Sequence, residues 1–136
     1  MSASAGEEQA SPRPVTGRVF VTGGTGFVGR TIVRALGDRP MRILVRDPAD
    51  AVRLKTTNVE IVAGDVTNAE SLRGAMDGCD AVIHLVAIIE EEGGTTFDEV
   101  IRGGTVNVIQ EAQRSGARRL LHMSALGTRN DPRYGY

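Results

Sequence analysis

Residues 18–29 read RVFVTGGTGFVG, a short apolar run that passes straight into glycines spaced T-G-x-x-G-x-x-G. Arg18, Val19, Phe20 and Val21 have the character of a buried strand. Phe27, Val28, Ile32, Val33 and Leu36 then fall at helical spacing up to Gly37, a C-terminal cap. Strand, glycine turn and helix in this order form a cradle for a pyrophosphate. Gly23 turns the backbone out of the strand, Gly26 leaves room for phosphates to approach, and Gly29 lets the helix pack close to the sheet. The helix N-terminus adds free N–H groups and a partial positive charge, so Thr25, Phe27 and Val28 join the three glycines as candidate cofactor-binding residues. The alternative reading is a structural turn without a ligand.

Outward from this segment, strands and helices alternate. Met41–Val45 reads as a second strand closed by Asp47-Pro48, residues 49–55 as a short helix, and Val59–Ala63 as a third strand. Thr67 and Glu70 have capping-box spacing for a helix burying Leu72, Ala75 and Met76 and stopped by Gly78. Ala81–Ala87 is a continuous apolar strand, and an acidic loop follows from Glu90 to Gly94. Phe97, Val100, Ile101, Gly104, Val108 and Ala112 keep a helical period that ends at Gly116. Gly103-Gly104 is expected to bring that helix close to the sheet, and Arg118–Ser124 is a fifth strand. The pattern predicts an α/β fold, a doubly wound parallel sheet of about five strands with right-handed crossovers and its ligand at the carboxyl ends of the strands.

Composition narrows the function classes. The 136 residues carry a formal net charge of −1 with a pI near 6.1, which indicates neither nucleic acid nor an acidic membrane surface as partner. Residues 1–16 are small, polar and proline-broken, and are expected to form a disordered tail ahead of one domain over 17–136. With no apolar run for a signal peptide or membrane span, and no Arg-rich leader, the expected location is cytoplasmic. Cys79 is the only cysteine, which excludes an internal disulfide. His84 and His122 fall inside strands without metal-ligand spacing, so they read as structural and no metal is expected.

The remaining candidates stand at strand ends. Twenty residues past Gly26, where an acidic side chain would grip the ribose hydroxyls of NAD, the chain has Arg46. A guanidinium matches a 2′-phosphate, which favours NADP(H) with NAD(H) possible; otherwise Arg46 is a solvated turn residue balancing Asp47. Asp65 can accept the adenine amino group with the Val66 backbone beside it, or simply make an Asp turn. Val86 and Ala87 are small enough to line the nicotinamide side. Ser124 and, twelve residues on, Tyr136 are candidate catalytic hydroxyls able to polarise and protonate a substrate carbonyl.

The ordered set TGGTGFVG, GDVTN, VIHLVA, GGTVNVIQEA and HMSALG resembles the short-chain dehydrogenase/reductase superfamily, in its extended and atypical branches, over residues 18–136. The likeness is greatest to the atypical group containing the nucleotide-binding accessory subunit of respiratory complex I; sugar-nucleotide epimerases and dehydratases share the scaffold. The resemblance implies a Rossmann-type NAD(P)-binding domain with Gly23, Gly26 and Gly29 on the pyrophosphate. It places Arg46 on the ribose phosphate, Asp65 and Val66 on the adenine, and Ala87 near the nicotinamide. Ser124 matches the family's active-site serine. Tyr136 matches the tyrosine of its Tyr-x-x-x-Lys motif, with Tyr134 competing for that place. The lysine of that motif falls past Tyr136, and Ile101 stands where the family has asparagine. The expectation is therefore an N-terminal cofactor-binding part of a longer protein, with weak or no catalysis by itself. The parent is either an NAD(P)-dependent oxidoreductase or sugar-nucleotide epimerase/dehydratase acting on an unknown small molecule, or a non-catalytic NADPH-holding or redox-sensing module of a larger assembly.

Overall fold

The structure, a computed structural model, describes residues 13–88 and 90–133. Five strands, β1 (Arg18–Thr22), β2 (Met41–Val45), β3 (Val59–Ala63), β4 (Cys79–His84) and β5 (Arg119–His122), form one sheet of order β3-β2-β1-β4-β5. Every pairing is parallel, with Val19 opposite Met41 and Thr22 opposite His84. The helices are α1 (Phe27–Leu36), α2 (Ala69–Leu72) and α3 (Gly104–Ser115), with a 3₁₀ turn at Pro48–Leu54 and a π-wound turn at Asp98–Gly103.

Alternate residues of the central strands feed two cores. Val19, Val21, Met41, Ile43 and Val45 pack with Val33 of α1 and Ala51. Phe20, Leu44 and Val82 pack on the other face with Leu72, Met76, Val108 and Ala112. A period-2 strand covered on both sides gives the doubly wound sheet that the alternation predicted.

Several details differ from the sequence reading. The cap of α2 is Asn68, whose side chain accepts from Ser71 N–H at 3.4 Å, because Asp65 Oδ1 already takes the Thr67 hydroxyl at 2.8 Å. That helix ends at Leu72 rather than running to Gly78. Gly74 breaks it at φ +78°, and Arg42 Nη1 donates to Ala75 O at 2.9 Å and Asp77 O at 2.8 Å, so those carbonyls are satisfied from β2. Leu72 and Met76 are nonetheless buried. Strands β4 and β5 stop at His84 and His122, short of Ala87 and Ser124. Of the Gly103-Gly104 pair only Gly104 carries a close approach, since a Cβ there would lie 2.9 Å from Val66 Cγ2.

Residues 1–12 of the expected tail lie outside the described residues. Thr16 and Gly17 N–H both donate to Asp80 Oδ2 at 3.3 Å. Asp80 in turn receives Arg118 at 2.5 Å and 2.9 Å, which holds its carboxyl down to about 2. Among the described residues no helix is long and apolar enough to cross a membrane.

Candidate cofactor-binding cleft

The glycine turn is built as the sequence requires. Gly23 adopts φ +71° directly after β1, and Gly26 N–H closes the turn on Gly23 O at 3.1 Å. Gly26 is the extended N-cap of α1 (φ −73°) with no side-chain cap, and the first turn holds no acidic residue. The N–H groups opening the helix thus have no side-chain acceptor and face outward with the positive end of the helix dipole. Gly29 lies buried behind the turn, against Gly23 and Gly24.

A cleft of about 360 Å³ opens at the carboxyl ends of β1 to β4. Gly23, Thr25 and Gly26 form one wall, and Leu44, Val45 and Arg46 come from the end of β2. Gly64, Asp65, Val66 and Thr67 follow β3, while Leu85, Val86, Ala87 and Ile88 follow β4. Thr95 and Val100 close the far side. The structure therefore brings together eight of the residues singled out from sequence: Gly23, Thr25, Gly26, Arg46, Asp65, Val66, Val86 and Ala87. Phe27 and Val28 stand on the exposed first turn of α1, with Phe27 89% exposed, so only their backbone can serve an anion.

Ser124 does not line this cleft. It lies exposed two residues past β5, its hydroxyl 3.5 Å from Thr128 Oγ1. Tyr136 and Tyr134 fall outside the described residues. Sequence reasoning missed Leu44, Val45, Gly64, Thr67, Leu85 and Ile88, each one or two positions from a residue it chose. It also missed Thr95 and Val100, for which only the fold of the 90–103 segment could supply a signal.

At the end of β2 the two charged neighbours behave differently. Asp47 Oδ1 caps the 3₁₀ turn, accepting from Ala49 N–H at 2.9 Å. Arg46 is exposed on the cleft and makes no hydrogen bond or ion pair with the described residues. Asp65 makes the Asp turn, Oδ1 accepting from Thr67 N–H at 2.9 Å, yet it also lines the cleft. An anion cradle, a free guanidinium and an apolar wall at one sheet end fit a dinucleotide.

Residues 23–135 match the model of a family described as NAD(P)H-binding. The chain belongs to the NAD(P)H-binding family. This NAD(P)H-binding domain is 37% identical over 117 residues to a 3 beta-hydroxysteroid dehydrogenase/Delta 5→4-isomerase of Mycobacterium tuberculosis, covering 80% of the chain and 32% of that protein. It is 33% identical over 118 residues to photosystem II assembly factor Ycf39 of Synechocystis, covering 85% and 36%. A short-chain dehydrogenase/reductase superfamily protein from Agrobacterium tumefaciens, solved with bound NAD, superposes with a TM-score of 0.64 at 29% identity, covering 77% and 31%. The chain spans about a third of the length of the curated relatives it matches. It is an NAD(P)-binding Rossmann domain of the extended and atypical short-chain dehydrogenase/reductase type, with oxidoreductases among its relatives.

Proposed function

We propose that the cleft binds NADP(H) in preference to NAD(H). In this reading Gly23, Thr25, Gly26 and the N–H groups of Phe27, Val28 and Gly29 hold the pyrophosphate, and Arg46 holds the 2′-phosphate. Asp65 and Val66 hold the adenine, while Val86 and Ala87 flank the nicotinamide. The observation that carries it is the division of labour after β2. The acid that could have accepted ribose hydroxyls, Asp47, caps its own turn through Ala49 N–H and does not line the cleft, and the base, Arg46, is free on it. A charge-assisted contact to phosphate is worth about 1.5–3 kcal/mol, roughly ten- to a hundredfold in affinity. Calorimetric titration should find NADPH tighter than NADH for the wild type, with Arg46→Asp weakening NADPH by that factor and sparing NADH. Equal wild-type affinities would end the NADP argument.

For the whole protein, the reading supported by the dehydrogenase relative is an oxidoreductase acting on a small carbonyl or hydroxyl substrate, with Ser124 and Tyr136 as its hydroxyls. The bound cofactor would supply or take up the hydride. Ser124 would orient the substrate oxygen and Tyr136 would exchange its proton. One observation favours a second reading: Ser124 is exposed and off the cleft. That suits a module which holds NADPH within an assembly, and a relative named as an assembly factor lends support. In the full-length protein, the enzyme reading expects Ser124→Ala to cut cofactor turnover about a hundredfold or more, as removal of an acid–base group does, at unchanged NADPH affinity. Unaltered turnover would refute it.

A further inference from the structure

Behind the cleft the end of β4 is held by a buried relay. Thr22 Oγ1 accepts from Leu85 N–H at 3.2 Å and lies 2.7 Å from Nδ1 of His84. The other ring nitrogen, Nε2, is 3.1 Å from Thr105 Oγ1 on α3. The His122 ring stacks against the imidazole, centroids 5.3 Å apart. Thr22 and His84 are both fully buried.

These contacts suit one tautomer. A hydroxyl has one hydrogen and two lone pairs. Leu85 N–H occupies one lone pair of Thr22, and His84 is the other partner of that hydroxyl, so its hydrogen is satisfied by pointing at Nδ1. With Nδ1 as that acceptor, Nε2 carries the proton and Thr105 Oγ1 accepts from it.

The relay stands where strand pairing ends. β1 and β4 run in register as far as Thr22 opposite His84, and one residue later Gly23 turns away, so Leu85 N–H loses its strand partner. The Thr22 hydroxyl replaces it. Gly23 packs on the Leu85–Val86 peptide, where a Cβ would come within 3.0 Å of Leu85 C and 3.1 Å of Val86 N. Two walls of the cleft, the glycine turn and the β4 end, thus meet through one hydroxyl.

We propose that His84 is a positioning residue for dinucleotide binding: as the Nε2–H tautomer it orients the Thr22 hydroxyl to receive Leu85 N–H, sets the spacing between the glycine turn and the Leu85–Ala87 wall, and ties that spacing to α3 through Thr105. The proposal rests on the dinucleotide reading of the cleft. Neither His84 nor Thr105 lines the cleft, so any effect on binding must travel through Thr22 and Leu85.

The test uses the full chain as wild type, Thr105→Val and Thr105→Ser, with thermal unfolding as a check on folding. Ring ¹⁵N shifts should show Nδ1 bare and Nε2 protonated in the wild type. Loss of one buried hydrogen bond corresponds to roughly fivefold. Thr105→Val should exchange the Leu85 amide about fivefold faster and bind NADPH about fivefold more weakly, and Thr105→Ser should restore both. An Nδ1-protonated ring, unchanged Leu85 exchange in Thr105→Val, or unchanged affinity in that variant beside a binding-competent wild type would overturn the proposal. A wild type that binds neither NADPH nor NADH would instead refute the dinucleotide reading of the cleft, whatever the ring and amide signals show.

Discussion

Replacing Gly29 by alanine is expected to destroy the glycine turn. A Cβ at this position would stand 1.9 Å from Gly23 O and 2.8 Å from both Gly23 C and Gly24 Cα. All three atoms are backbone, so no side chain can swing aside, and the helix must move off the sheet. Overpacking of this kind costs up to about 3 kcal/mol, occasionally more, and here it also displaces the N–H groups of the α1 N-terminus. Gly29→Ala should therefore unfold at markedly lower urea and show no measurable NADPH binding. Gly26→Ala is the informative partner. Gly26 has an ordinary extended φ, and its Cβ would meet only Gly23 O at 3.4 Å. Stability should change by less than about 1 kcal/mol, while the new methyl stands in the space of the anion and weakens NADPH at least tenfold, on the order of one lost charge-assisted contact. Gly29→Ala with wild-type stability would show the close packing of α1 on the turn to be wrong. Gly26→Ala with wild-type affinity would remove the pyrophosphate from this turn.

Acidification from pH 6.5 to 4 should cost the domain up to about 3 kcal/mol of stability through His84, a loss that begins above the range in which carboxylates titrate. Burial, with a smaller contribution from the neighbouring His122, pushes His84 from the ordinary 6.5 down to about 4. The unfolded chain takes up its proton near pH 6.5 and the folded chain resists until about pH 4. In that window the unfolded state binds more protons, and stability is complete above it and falls as pH drops through it. Protonation would also put a hydrogen on Nδ1, reversing that contact into a donation to Thr22 Oγ1 and leaving the hydroxyl's own hydrogen without the acceptor it had. The Asp80 carboxyl, held at about 2 by Arg118, acts in a lower window, where its contribution is lost below the normal carboxylate range. Urea unfolding at pH 7, 5.5 and 4 would measure the decline, and a ring titration by NMR would assign it. A flat profile over that range, or a His84 ring titrating at its ordinary value, would contradict this account.

Much of the fold is legible along the chain because its causes are local. The helical period from Phe27 to Leu36 and the glycine spacing lie within one strand–turn–helix, and β1, β2 and β3 occupy the residues their apolar runs indicate. The candidate site is legible to the same extent, since a parallel sheet puts its ligand at strand ends and those ends carry Gly23, Arg46, Asp65 and Val86. Non-local causes were out of reach. The length of α2 depends on Arg42, a β2 residue that takes carbonyls from the Ala75–Asp77 turn. The place of Ser124 depends on how the chain leaves β5.

From residue order alone follow the alternation of elements, the two-sided burial of the sheet and the anion cradle at its centre, because periodicity and glycine conformation act within a few residues. Tertiary structure alone decided three things. It set Asp47 as the cap of its own turn, outside the cleft lining, and left Arg46 on the cleft. It ended β4 at His84 because Gly23 carries β1 away. It also joined Thr22, His84 and Thr105, residues from three separate elements, in one buried relay. Each turns on which polar group finds a partner once water is excluded, and that is settled by neighbours in space rather than along the chain.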